Sequence, residues 1–217
     1  MKHVSKGEPP ASFEEWKAKA NEDWQPAYGN LQNPQKSELH DALLREQGWV
    51  CCYCGCGISK ADSHIEHFRP QSGYPDQALS FDNLFASCLR DIDPGSPLHC
   101  GHAKANGFDE KHCVSPLEDG CEQRFTYKWD GRMEPEPGDV SAEYMRGLLK
   151  LDIAFLCDER ANVLQNVFDP VIVETVTDSE LVRLRDAFRM RDQTGHALSF
   201  GHVVARYAEQ LLASDAG

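Results

Sequence analysis

Cys51-Cys52-Tyr53-Cys54-Gly55 opens the stretch that decides the fold, and Cys88 and Cys100 close it around His64-Ile65-Glu66-His67-Phe68-Arg69-Pro70 and Phe81-Asp82-Asn83-Leu84. Cys51 and Cys54 have the C-x-x-C spacing at which two thiolates on one tight turn reach a single tetrahedral zinc, with Gly55 easing the backbone around it. Cys88 and Cys100, separated by the loop from Leu89 to His99, supply a second pair. Together the four predict a closed, structural Cys₄ zinc site that staples both ends of the fragment carrying the histidines. Cys52 and Cys56 sit beside the preferred pair and could shift the ligation register, and reduced core cysteines are the competing reading. Cys113, Cys121 and Cys157 have no partner at such a spacing. They are expected in cores, although Cys113 and Cys121 could form a weaker second site.

Outward from this stretch, residues from Trp49 to about Met133 are rich in Gly, Pro, Cys and His and lose helical periodicity, as expected of short strands and loops ordered partly by metal. Both flanks read as helical. Ser12-Phe13-Glu14-Glu15 has capping-box spacing, predicting a helix from about Phe13 towards Asp23. Asn33-Pro34 predicts an N-cap and first-turn proline for a helix with Leu39, Ala42 and Leu43 on its apolar face, stopped at Gly48. Glu134 to Asp139 reads as a turn, after which Ala142, Met145, Leu148 and Leu149 restore the helical pattern. Asp178 is the expected cap of a helix bearing Leu181, Leu184 and Phe188, and a last helix carries Val203, Val204, Tyr207 and Leu211. The expected class is α+β: an N-terminal helical segment (1–48), a small zinc-stapled module (49–133) and a C-terminal helical region (134–217).

Nine cysteines, an odd number, make a complete disulfide framework a poor explanation. No apolar h-region follows Met1-Lys2-His3, and no stretch approaches bilayer-spanning length, so the expected compartment is the cytoplasm and no membrane association is foreseen. The formal charge of −13 argues against a chain that grips nucleic acid by itself, because phosphate binding draws on Lys and Arg. A divalent cation at a reaction centre, or a basic partner subunit, is expected to supply the missing positive charge.

Glu66-His67, then Asn83-Leu84, then Cys100-Gly101-His102-Ala103-Lys104 resemble the HNH nucleases, which place an acidic residue beside a histidine, then an asparagine before leucine, inside a zinc-stapled ββα-metal module ending in a cysteine segment with a lysine. The resemblance implies an endonuclease hydrolysing phosphodiester bonds, DNA before RNA. It makes His67 the general base, Asn83 the residue orienting that base or its loop, and Glu66 a ligand of one divalent ion, Mg²⁺ or a similar hard cation. Adjacent strand residues point to opposite faces, so one of Glu66 and His67 is expected to act through backbone or indirect contacts. Many members have histidine directly after the last knuckle cysteine as a metal ligand, where this chain has Gly101. His64, His102 or Asp109 could take that role; His64 shares a strand face with Glu66 and is the first choice, making it a fourth candidate site residue.

Glu8-Pro9-Pro10, Arg45-Glu46-Gln47-Gly48, Val114-Ser115-Pro116-Leu117 with Phe125, and a helix with Leu148, Leu151 and Arg160 extend the resemblance to the HNH subunit of Septu-type and retron-linked anti-phage defence systems. That resemblance implies an ABC-type ATPase partner. The tail after about Asp169 offers only amphipathic helices, read as packing or docking surface. A non-catalytic zinc module for nucleic-acid or protein binding is the alternative function. A hydrolase using the cysteine-bound metal is disfavoured, since a closed Cys₄ site has no open coordination position.

Overall fold

The hydrogen-bond demands of the flanking segments explain where their helices begin and end. The structure, a computed structural model, describes residues 1–92, 94–168 and 175–214. Helix α1 (Ala11–Lys17) is shorter than the capping-box reading and starts after Pro10, with no side-chain cap. The Ser12 hydroxyl instead donates to Glu38. The helix cannot run to Asp23 because the Asn21 side chain accepts from the backbone N–H groups of Asp23 and Trp24, at 2.9 and 3.0 Å, which closes a local turn. Helix α2 (Gln35–Gln47) is capped by Pro34 rather than Asn33 and ends as expected at Gly48, whose φ of 68° suits a residue without Cβ.

Gln47 then binds α2 to the module. Its buried amide donates to the carbonyls of Val50 and Ala86, at 2.9 and 2.8 Å, and accepts from Ala86 N–H at 2.7 Å. Strands β1 (Ser63–His67) and β2 (Leu84–Cys88) pair antiparallel, with His64 opposite Ser87, Glu66 opposite Phe85 and His67 opposite Leu84. The short helix α3 (Cys100–Lys104) packs on β2.

A second hairpin, β3 (Phe125–Tyr127) with β4 (Met133–Pro135), runs across position 133, so part of the segment read as a turn is strand. Asp139 closes that turn by accepting from Ala142 N–H at 2.9 Å, which starts α4 (Val140–Leu148). The single helix expected to carry Leu148, Leu151 and Arg160 is two: the chain breaks after α4, with Lys150 at a φ of 49°, and resumes as α5 (Ala154–Val167). Arg160 is fully buried and spans the break, donating to Leu151 O at 2.9 Å and Gly131 O at 2.7 Å.

Asp169 lies outside the described residues. Beyond it, α6 (Asp178–Arg189) is capped by Thr177 rather than Asp178, because Thr177 and Glu180 exchange hydrogen bonds in a capping box. Helix α7 (Gly201–Ser214) packs on α6 and β3 and buries Val203, Val204 and Ala208. Its leading turn is sewn to the cysteine loop by Ala197 N–H to Gly48 O at 2.8 Å and Phe200 N–H to Gly55 O at 2.7 Å. Gly55, at a φ of 77°, is required twice over, since a Cβ there would lie 2.2 Å from the His202 ring. Among the described residues no helix is long and apolar enough to cross a membrane.

Candidate functional site

The β1–β2 hairpin carries a different chemistry at each end. At the Ser63–Cys88 end, the sulfurs of Cys51, Cys54, Cys88 and Cys100 all lie within 4.8 Å of one another and all four side chains are buried. Cys54 and Cys88 Sγ are 3.9 Å apart. Zinc–sulfur bonds of about 2.3 Å in a tetrahedron place sulfurs roughly 3.8 Å apart, so the cluster fits a zinc ion. Cys88 N–H donates to Cys51 Sγ at 3.5 Å, and Ser87 Oγ lies 3.8 Å from the same sulfur. Hydrogen bonds from Cys100 first, then Cys56 and Cys88, hold the Cys54 thiol down at about 5 against an opposing bond with Cys51, while burial pushes Cys100 up. Four thiolates cannot share this volume without a cation between them. Cys52, Cys56, Cys113 and Cys121 fall outside the group, the one set of three or more convergent metal-binding side chains among the described residues.

At the other end Glu66 and His67 take opposite faces of β1. The Glu66 carboxylate is buried on the α3 side, where Oε1 accepts from Lys104 Nζ at 2.9 Å and from the Tyr53 hydroxyl at 3.2 Å. Oε2 lies 3.6 Å from His64 Nε2. Burial acts to raise the Glu66 carboxyl, but the His64 hydrogen bond and the Lys104 ammonium outweigh it and leave the group below its ordinary value. Lys104, itself almost fully buried, also donates to the backbone carbonyl of His67 at 2.8 Å. One ammonium therefore contacts both Glu66 and the His67 backbone.

His67 faces away, packed at 4.4 Å edge-on against Tyr28. Its Nε2 lies 3.0 Å from Ala78 O, and a carbonyl only accepts, so Nε2 carries the proton and Nδ1 keeps a lone pair. Nδ1 meets only the Gln71 amide, at 3.4 Å. Burial holds His67 below the ordinary histidine value, so its imidazole is neutral at physiological pH. The Asn83 side chain makes its hydrogen bonds away from the ring. Its Oδ1 accepts from Arg69 N–H at 2.7 Å, and its Nδ2 donates to the carbonyls of Arg69 and Gln77 at 3.0 and 3.1 Å, which closes the loop that presents Ala78.

Of the three residues considered for the place vacated at Gly101, only His64 adjoins Glu66 through an ion-pair contact, and its Nδ1 is buried with no hydrogen-bond partner. The His102 ring packs at a tilt on His64, centroids 4.6 Å apart, but directs Nε2 to the Leu89 carbonyl. Asp109 accepts from the N–H groups of Lys111 and His112 in its own turn. Gly101 itself is packed tight: a Cβ there would lie 2.6 Å from Glu66 Oε2 and 2.8 Å from His64 Nε2. A side chain at 101 and the present His64–Glu66 pair exclude each other. Tyr53, Lys104, Tyr28 and Gln71 also belong to this site without having been assigned roles from sequence. Lys104 sits in the quoted cysteine segment, whereas Tyr28 comes from a distant turn and carries no local signal.

No family model matches the chain. Over 103 residues it is 27% identical to a protein of Vibrio cholerae serotype O1 biovar El Tor whose curated name is "Retron Vc95 putative HNH endonuclease". The match covers 46% of this chain and 48% of that protein, so the chain spans about half the length of the curated relative it matches.

Proposed function

We propose that this chain is an HNH-type endonuclease that hydrolyses phosphodiester bonds, with β1, β2 and α3 as its ββα-metal module, Cys51, Cys54, Cys88 and Cys100 holding structural zinc, and His67 as general base. One observation carries the reading: a neutral imidazole, its Nε2–H fixed by Ala78 O, keeps its Nδ1 lone pair one residue from a buried carboxylate. In this reading Nδ1 takes a proton from the attacking water, and Asn83 keeps the loop that fixes the tautomer in place. Glu66 Oε2 and His64 Nε2 are the groups that would hold a divalent ion, Mg²⁺ or a similar hard cation, whose charge would offset that developing on the phosphate. Lys104 positions Glu66 and the His67 backbone together. DNA as the preferred substrate, a role in anti-phage defence and an ABC-type ATPase partner complete the proposal, supported by the family resemblance and, for the retron setting alone, by the name of the Vibrio protein.

The test is a cleavage time course on labelled DNA and RNA with Mg²⁺, with and without the ATPase, using samples matched for zinc content and thermal stability. His67→Ala should lose about a hundredfold to ten-thousandfold in rate. Asn83→Ala should lose less, since it acts through the loop. Wild-type-like cutting by His67→Ala would remove His67 as the base, and a wild type that never cuts under these conditions would defeat the nuclease reading and favour a binding module.

A further inference from the structure

An excess of 35 acidic over 22 basic residues predicts a surface that repels phosphate, yet one cleft has the opposite character. It measures about 420 Å³ and lies between α2, β1 and the end of β2, lined by Lys36, Lys60 and Arg90 with His40, His64 and Tyr28, and by neutral side chains elsewhere; no carboxylate lines it. The three cations come from three separate chain segments. Lys36 and Arg90 are held by contacts that leave their charge at the wall, whereas Lys60 is ion-paired to Asp41. Lys60 bonds Ser37 and Asp41 at 2.6 Å, Arg90 donates to Lys60 O at 3.1 Å, and Lys36 lies 5.1 Å over the Tyr28 ring. Lys36 and Arg90 are exposed.

The cleft also abuts both faces of the proposed reaction centre. Its wall residue His64 lies 3.6 Å from Glu66 Oε2, and its wall residue Tyr28 packs 4.4 Å from the His67 ring. A volume of this size accommodates a nucleotide-sized segment. Three cations, one of them paired to Asp41, next to an acid and a base, suit the backbone oxygens of a phosphodiester chain better than a neutral or cationic ligand. We propose that this cleft is the track for the sugar–phosphate backbone, with Lys36, Lys60 and Arg90 contacting phosphates that flank the bond to be cut. This rests on the nuclease reading for what happens at the bond, but not for the binding itself.

The experiment therefore measures binding apart from cleavage. His67→Ala protein is titrated against short fluorescent single-stranded DNA, single-stranded RNA and duplex DNA over a range of salt, with Lys36→Gln/Arg90→Gln added in one sample. In another, Lys128→Gln/Arg132→Gln removes the same charge from exposed positions on the β3–β4 hairpin. The cleft pair should weaken binding about tenfold or more on whichever oligonucleotide binds best. It should also flatten the salt dependence by about 0.7 per cation on a single strand or about 0.9 on a duplex. The hairpin pair should change neither. Equal effects of the two pairs, no effect of the cleft pair, or no binding of any oligonucleotide even at low salt would each overturn the proposal. Cleft-dependent binding together with a wild type that never cuts would support the track and sink the nuclease reading instead.

Discussion

The two ends of one short hairpin can be set against each other. Where β2 ends at Cys88, four sulfurs converge on one another and are sealed from solvent, so a bound ion has no position left for a substrate. Where β1 ends at His67, the groups are buried but not exhausted: His67 Nδ1 has only a long contact to Gln71, and farther back along the strand His64 Nδ1 has none. Burial with complete mutual satisfaction makes architecture. Burial with a lone pair left over leaves capacity for chemistry, and a variant that loses activity has to be assigned to one end or the other.

The largest effect that separates them is expected at the sulfurs. Structural zinc contributes about 10–16 kcal/mol of apparent binding energy in small zinc peptides, which rivals the roughly 5–15 kcal/mol of stability of a whole domain. Cys54→Ser or Cys88→Ser should therefore lose both metal and cooperative unfolding, measured by elemental analysis and thermal melts. About one zinc retained in both variants would refute the ligand set.

Next comes Lys104→Met, which strands a buried Glu66 carboxylate. Removing one partner of a buried pair costs about 3–5 kcal/mol, to be read as a lower urea midpoint with zinc content unchanged. Adding Glu66→Gln should restore much of the loss, and a double variant no more stable than Lys104→Met alone would show that the pair is not the cause.

Gly101→Ala probes the chemical end with little harm to the fold. Its φ is not left-handed, and alanine in a helix is favoured over glycine by up to about 1 kcal/mol. The new Cβ nevertheless overlaps Glu66 Oε2 and His64 Nε2. A displacement on the order of 1 Å in a reaction centre can cost about a hundredfold in rate, so cutting should fall by about tenfold to a hundredfold at an unchanged or slightly raised Tm. A fall in Tm of many degrees would place Gly101 with the architecture.

The smallest effect concerns His40, whose Nε2 lies 2.9 Å from Ser63 Oγ beneath the cleft. Burial first, then Lys60, Arg90 and His64 against the opposing pull of Asp41, lower it from 6.5 to about 4. A histidine depressed in the folded state is protonated more readily when unfolded, so its contribution is present above about pH 6.5 and is lost as pH falls through about 4. Melting curves across that window should fall less steeply for His40→Gln than for the wild type, and parallel curves would remove His40 as a cause.

What could be read from sequence was what lies close in the chain or repeats. The C-x-x-C spacing, the Gly48 stop and the amphipathic helix faces are local signals, and the structure gathers the four chosen cysteines into one cluster. Helical periodicity reports which face is buried but not where the chain breaks, so the division between α4 and α5 was missed. Ser12 shows the same limit for caps, because a hydroxyl chooses between backbone and a distant carboxylate only once the fold brings that carboxylate near, whereas the Thr177–Glu180 capping box is a local pattern. Net charge is a sum over the surface and hides the union of Lys36, Lys60 and Arg90. Glycine at 101 reads as a missing ligand in one dimension and as a fitted space in three.

Asn83 has a consequence for timing. With Phe68 N–H bonded to Asn83 O at 3.0 Å and the Asn83 amide gripping Arg69 and Gln77, the excursion between the strands is shut at its neck by a single residue. Its closure entropy is settled once, when the chain folds, rather than anew at each encounter with a ligand. In the proposed reaction His67 would meet an incoming molecule with its tautomer already chosen, so the orientational part of the barrier would be removed before that molecule arrives.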